Sequence, residues 1–188
     1  MSSPAVSARH KLSVYDYYRM GEAGIIHEDD RIELIEGDLI DMAPIGSRHA
    51  STVARLERSL IRAVNDQAVI FGQNPMRLSD QSEPQPDVMI LKPHPDDYFD
   101  ALPEPADVLV LIEVADNSID YDREIKLPLY ARHGIVEVWL IDLNNRILER
   151  YTEPNDEGYS QHETLDSRNI INPALLPEAI IDLKQLFR

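Results

Sequence analysis

The chain has 188 residues, 34 acidic against 18 basic, a formal charge of −16 and no cysteine. That length suits one globular domain with a sizeable core, and the missing cysteine excludes a disulfide framework, a thiolate zinc site and a thiol nucleophile. A chain this acidic repels phosphate backbones unless its basic groups or bound cations are locally concentrated, so the charge taken alone argues against a nucleic-acid binder.

In chain order, residues 1–10 read as a flexible tail on a single domain spanning 1–188. The start, MSSPAVSARHKLS, lacks an apolar signal core, and no apolar run approaches the roughly 18 residues of a membrane span. The expectation is a cytoplasmic protein with no membrane partner. Ser13 and Asp16 form a capping-box pattern that predicts a helix over 13–22, with Val14, Tyr17 and Tyr18 on one face. RIELIEGDLIDMA predicts two short strands around a Glu-Gly-Asp turn, with Glu33 pointing away from Leu34. Ser47 is a candidate cap for a helix over 48–66, where Val53, Leu56, Leu60, Ile61 and Val64 recur at helical spacing. Arg48, Arg55, Arg58 and Arg62 on its polar sides make this the most basic stretch.

Residues 68–72 and 76–78 read as strand fragments, and QPDVMIL as a further short strand. Residues 92–106, rich in proline and acid, read as a mobile surface loop. DVLVLIEV has the continuous apolar run of a strand buried on both faces. In DNSIDYDREIKLPLYARHG, Gly134 is the helix stop and Pro128 belongs in a first turn, which predicts a regular helix from about residue 126 rather than from Asp120. IVEVWLIDLNNRILERY predicts a hairpin with Asn144 and Asn145 in the left-handed turn conformation. A loop, a weak strand and an amphipathic end, IIDLKQLF, complete an α/β chain with a mixed central sheet.

The sharpest chemical constellation is Pro86-Asp87 at one strand start, Glu113 at the end of the next strand, and Lys126 beyond it. Hard divalent cations take oxygen ligands, and Mg²⁺ commonly uses one or two protein carboxylates with waters and phosphate oxygens. Asp87 and Glu113, with a neighbouring backbone carbonyl such as that of Val114, supply such a set. A metal there activates water and neutralises charge on a phosphorane-like transition state, and a nearby lysine stabilises the same charge. Each piece has an ordinary reading. An aspartate after proline is usually a turn or cap residue, and a lone helix lysine is usually solvated. Glu113 is harder to dismiss, because a carboxylate closing an apolar run is costly unless paired or metal-bound.

The stretches IELIEGDLIDMAP, QPDVMIL and LVLIEVADNSIDYDREIKLPLYARHGIVEVWLID resemble the Uma-two (Uma2) family of endonucleases, a branch of the PD-(D/E)XK restriction-endonuclease-like superfamily. The resemblance implies a restriction-endonuclease-like core, a central mixed sheet flanked by helices. It also implies a Mg²⁺- or Mn²⁺-dependent site that hydrolyses phosphodiester bonds in DNA. Asp87 matches the family's PD aspartate and Glu113 the acid of its E-x-K element. The chain reads Glu113-Val114-Ala115, so the superfamily's usual lysine two residues later is missing, and Lys126 on the following helix fits its place. Glu33 matches an N-terminal glutamate of the branch, as an extra metal ligand or water-orienting group; its ordinary reading is an exposed strand acid beside an arginine. His49 fits a frequent histidine of the branch and joins Arg48 and Gln85 as candidate substrate contacts. Tyr130, one turn beyond Lys126, is expected to pack its ring with its hydroxyl near the site.

For Asp116, Asp120 and Asp122, caps and loop solvation are preferred over metal ligation; Trp139 reads as core or an oligomer surface, and Asp142 as a strand-end turn residue rather than a ligand. Besides a DNA endonuclease, two alternatives remain open: a non-catalytic binding or regulatory module on a nuclease-like fold, and a metal-dependent hydrolase of a smaller phosphodiester. A homodimer would bring two basic helices onto one duplex.

Overall fold

The computed structural model describes residues 9–27 and 29–187; residues 1–8 of the expected tail lie outside them. Six strands form the central sheet in the order β3-β4-β5-β6-β7-β8. These are β3 (Val69–Gly72), β4 (Val88–Leu91), β5 (Val108–Ala115), β6 (Glu137–Asp142), β7 (Ile147–Asn155) and β8 (Gly158–Leu165). Only the β5–β6 pair is parallel, which makes the sheet mixed. A separate hairpin, β1 (Ile32–Ile35) with β2 (Asp38–Asp41), precedes it, and a small pair, β9 (Ile170–Ile171) with β10 (Ile181–Asp182), follows.

Side-chain alternation along β5 assigns the two faces. Val110, Ile112 and Val114 pack into one core layer with Val53, Leu56, Leu60 and Val64 of α2 (Ser47–Val64). Leu111 and Ala115 enter the opposite layer with Leu127, Leu129 and Tyr130 of α4 (Leu127–Arg132). Period-two alternation puts Glu113 on that second face, between Leu111 and Ala115. Every residue of β5 is buried, as its unbroken apolar run predicts. Trp139 is fully buried in the first layer, so it is core and not an oligomer surface. Among the described residues no helix is long and apolar enough to cross a membrane.

Local chemistry explains the agreements and the departures. The capping box of α1 (Val14–Glu22) forms as expected, with Ser13 and Asp16 each satisfying the other's backbone N–H. In the β1–β2 turn both Glu36 and Gly37 have positive φ, 47° and 79°, which suits a tight two-residue hairpin turn. The N-cap of α2 is Gly46 and not Ser47, which is already helical, and no side chain caps the helix start. Residues 76–78 are not a strand. Met76 and Leu78 are buried, but their N–H groups turn back to Pro84 and Ser82 at 3.0 and 3.1 Å. The flanking Pro75 and Pro84 offer no N–H for a ladder.

The regular helix after β5, α4, begins at Leu127 as expected, and irregular helical turns precede it. A short turn, α3 (Ile119–Tyr121), runs into a π-helical turn, Asp122–Lys126, before α4, and the Leu127 N–H donates to the Asp122 carbonyl five residues back. Pro128 then sits in the first turn of the regular segment. In the β6–β7 turn the left-handed residue is Arg146, φ 56°, and not Asn144 or Asn145. The Asp142 carboxylate draws in both asparagine N–H groups at 2.9 Å, which moves the positive φ along the turn.

Candidate active site

The β4–β5 register pairs Val88 with Ile112, so Asp87 and Glu113 lie next to one another at the ends of neighbouring strands. The hairpin brings Glu33 to the same place, and the π turn presents Lys126. Lys126 Nζ donates to Glu33 Oε1 at 3.0 Å and to Glu113 Oε1 at 3.2 Å. All three side chains are buried, at 5, 2 and 4% exposure for Lys126, Glu33 and Glu113. Glu33 also accepts the Gln85 N–H at 2.8 Å, so it is a buried hub and not an exposed strand acid. Lys126 likewise is no solvated helix lysine.

Each acid is held by donors. The Tyr130 hydroxyl donates to Glu113 Oε1 at 2.6 Å, while Glu113 Oε2 accepts no hydrogen bond among the described residues. Asp87 Oδ2 accepts the Val114 N–H at 2.9 Å and lies 3.0 Å from His49 Nε2. Gln85 reaches Gln73 through its side-chain amide, and the Gln73 amide lies 3.5 Å from Asp87.

Burial sets the electrostatics. It pushes the Glu113 carboxyl up, against the pull of the Lys126 charge. Burial alone would lower Lys126, but Glu113, Glu33 and Asp122 outweigh it and hold the ammonium above its ordinary value, so it stays a cation. The hydrogen bond to Asp87 raises His49, with its burial opposing. Burial also raises Asp122, against Lys126 and the Ser118 hydroxyl, which donates at 2.6 Å.

These groups open onto a cavity of about 340 Å³. Its wall carries the carboxylates of Glu33, Asp41, Asp87, Glu113, Asp116 and Asp122 against only Arg31, Lys126 and His49. Two buried polar atoms of wall residues, His49 Nδ1 and the Tyr121 hydroxyl, have no hydrogen-bond partner among the described residues. An acid excess with open carboxylate oxygens fits a hard cation. Among the described residues no cluster of three or more His, Cys, Asp or Glu side chains forms a ready-made cage. The donor set therefore fits an ion held by Asp87, Glu113 and the Val114 carbonyl, with the rest of its shell from water or substrate.

The other candidates fall in different places. His49, Gln85 and Val114 line the cavity. Tyr130 does not: it is fully buried, so its hydroxyl orients Glu113 and cannot touch substrate. Arg48 is also outside this wall, bonded to Asp116 at 3.0 Å and to the Leu143 carbonyl at 2.7 Å. Asp142 is the expected turn residue. Asp120 is exposed and Asp116 is an ion-pair partner, but Asp122 is buried in the cavity wall and not solvated. Its spacing of four from Lys126 was the available signal, since residues so spaced share a helix face. Tyr121 carried no comparable signal.

A mixed sheet flanked by helices, with Asp87 and Glu113 at adjoining strand ends beside a buried lysine, defines a restriction-endonuclease-like domain. The Uma2 family model, described as "Putative restriction endonuclease", matches residues 14–184, and the chain belongs to that family. Among solved structures it is similar to "a putative nuclease belonging to DUF820 from Anabaena variabilis ATCC 29413", at a TM-score of 0.74 and 16% identity over 94% of this chain and 97% of that one. At that identity the likeness establishes the shared fold. No curated protein matches the chain.

Proposed function

We propose that this chain is a metal-dependent nuclease that hydrolyses phosphodiester bonds in DNA, with Asp87, Glu113 and the Val114 carbonyl as the Mg²⁺ or Mn²⁺ ligands. Family membership supports the nuclease class. The observation that carries the finer reading is the buried Lys126, bonded to Glu33 and Glu113 in the cavity that Asp87 shares. A buried ion triad is a costly device for stability alone, and perturbed groups in a cleft are candidates for chemistry.

A bound divalent ion supplies water activation and charge neutralisation at the scissile phosphate. The chain's own residues do the rest. The Val114 N–H and His49 fix the Asp87 carboxylate. Tyr130 and Lys126 fix Glu113 through one oxygen and leave the other open. Of the three N–H donors on Lys126, two are taken by Glu33 and Glu113; the third can stabilise negative charge on the phosphoryl oxygens. Glu33 holds the lysine charge in place without occupying that third donor.

The test is cleavage of plasmid and oligonucleotide DNA by wild type, Asp87→Ala and Glu113→Gln, with Mg²⁺, Mn²⁺ or a chelator. Wild type should cut only with metal, and each variant should lose roughly 100-fold or more, the scale of removing one preorganised charge-stabilising group. Absence of metal-dependent cleavage in wild type would overturn the proposal. Activity that survives both substitutions would show that the site is elsewhere.

A further inference from the structure

A second hollow, of about 530 Å³, lies on the other side of the α2 N-terminus. Its polar wall is built by Arg48, Ser51, Thr52 and Arg55 from α2 and by Arg146 from the β6–β7 turn, over an apolar floor that includes Leu143 and Phe187. Arg48 and Arg55 are seven residues apart, two helical turns, and so share a face. The left-handed conformation of Arg146 belongs to the turn that brings it opposite them.

Two features mark this wall in a chain of charge −16. First, Arg55 and Arg146 form no ion pair among the described residues, whereas Arg48 is paired with Asp116. Second, their guanidinium groups are braced by neutral acceptors and keep donors in reserve. Arg55 donates to the Leu186 carbonyl, Ser51 and Thr52 at 3.2, 2.8 and 3.0 Å, and Arg146 donates to the Phe187 carbonyl. With five N–H donors per guanidinium, both retain capacity for an oxyanion. No side chain caps α2, so its first-turn N–H groups add positive potential nearby. Arg58 and Arg62, further along the helix, are exposed and stand apart from this wall.

We infer that this hollow is a phosphate-binding subsite, and that it takes a backbone phosphate of the same nucleic-acid strand whose scissile bond lies in the acidic cavity. The second clause rests on the nuclease reading. The two cavities adjoin through α2: Gly46 and His49 line the first, Ser47 and Arg48 the second, and the Arg48–Asp116 ion pair joins their walls. Planar guanidinium pairs select phosphate oxygens through paired, charge-assisted hydrogen bonds, and backbone contacts position a strand without reading its sequence.

The experiment compares wild type with Arg55→Gln, Arg146→Gln, the double variant and Arg55→Lys, each checked for native circular dichroism. Binding of a fluorescent 20-nucleotide DNA of mixed sequence is measured by anisotropy in chelator over a series of salt concentrations. Binding of inorganic phosphate is followed through the Nε–H NMR signals of Arg55 and Arg146. The double variant should bind the oligonucleotide about tenfold more weakly, with a salt slope smaller by about 1 per lost phosphate contact. Arg55→Lys should recover part of the affinity, and phosphate should shift both arginine signals in wild type. Unchanged oligonucleotide affinity and slope in the double variant would overturn the strand-binding role. If phosphate still shifts the signals, the hollow is a site for free phosphate; if not, the site itself is overturned. Cleavage is scored separately on wild type: a protein that binds through these arginines but never cuts loses the nuclease reading and keeps the subsite.

Discussion

Removing Lys126 leaves two buried acids, Glu33 and Glu113, without their cation. Nζ lies 3.0 Å from Glu33 and 3.2 Å from Glu113, with all three groups buried. At an effective dielectric of about 20, the Lys126–Glu33 contact has a gross Coulomb energy of about 5 kcal/mol, while Glu113, pushed up by its burial, can shed its charge by taking a proton once the ammonium is gone. Most of that is offset by desolvation, but breaking such a pair from one side costs about 3–5 kcal/mol, since the remaining charge is buried and unpaired. Lys126→Met should therefore destabilise by that amount. Adding Glu33→Gln removes one stranded charge, so the double variant should recover about 1–3 kcal/mol relative to Lys126→Met. The two substitutions are thus strongly non-additive. Urea unfolding in chelator checks this directly, because Trp139 is the single tryptophan and is fully buried, which gives one clean fluorescence signal. Additive losses, or a Lys126→Met variant within about 1 kcal/mol of wild type, would refute the picture of a buried charge hub.

Two smaller predictions follow from single groups. Tyr130→Phe keeps the ring in its packed layer and deletes the 2.6 Å hydrogen bond to Glu113; it should cost about 1.5–3 kcal/mol and lower the melting temperature by roughly 3–10 °C in calorimetry. Asp142 is held below its ordinary 3.8, since the Asn144 and Asn145 donors and Arg123 outweigh its burial. An acid with a depressed folded pKa contributes stability that is fully present above the unfolded value and lost as pH falls through the folded one. The stability gap between wild type and Asp142→Ala in urea melts should accordingly be full at pH ~7 and shrink progressively below pH ~4; a gap that widens in acid would contradict the assignment.

The sequence made the sheet and its two faces legible because β5 and α2 carry unmistakable periodicity: an apolar run in one, and Val53, Leu56, Leu60 and Val64 at helical spacing in the other. Asp87, Glu113, Lys126 and Glu33 were reachable through the family pattern, and the structure brings all four to one cavity. What stayed hidden depends on tertiary closure. The π turn at Asp122–Lys126 widens the helix by one residue, and no local propensity announces it. Only its spacing of four from Lys126 sets Asp122 apart from the solvated acids of that stretch. Tyr130 was placed near the site, but its burial, and hence its role behind Glu113 and not at the substrate, depends on how α4 packs on β5. The grouping of Arg146 with Arg48 and Arg55 was likewise unreadable, because it joins a hairpin turn to a helix 91 residues earlier at Arg55.

Net charge is the quantity on which the sequence and the proposed chemistry stand opposed, and on the proposed reading the opposition is one of scale. A strand does not meet −16; it meets the local field of the surface it approaches, within a Debye length of about 8 Å. That surface is divided. One wall concentrates six acidic side chains around a single buried ammonium and one arginine, an excess that fits the divalent cation of the proposed function. The adjoining wall carries three arginines, two of them without a carboxylate partner among the described residues. On the proposed reading, a divalent ion held at Asp87 and Glu113 would offset part of the acidic wall's charge at the point where the scissile group sits. The arginine wall needs no such help. On this arrangement the distant acids, in the 92–106 loop and on the outer strands, set solubility and long-range repulsion. If both proposals hold, the pairing of a cation-holding cavity with a phosphate-holding one decides where a strand can settle.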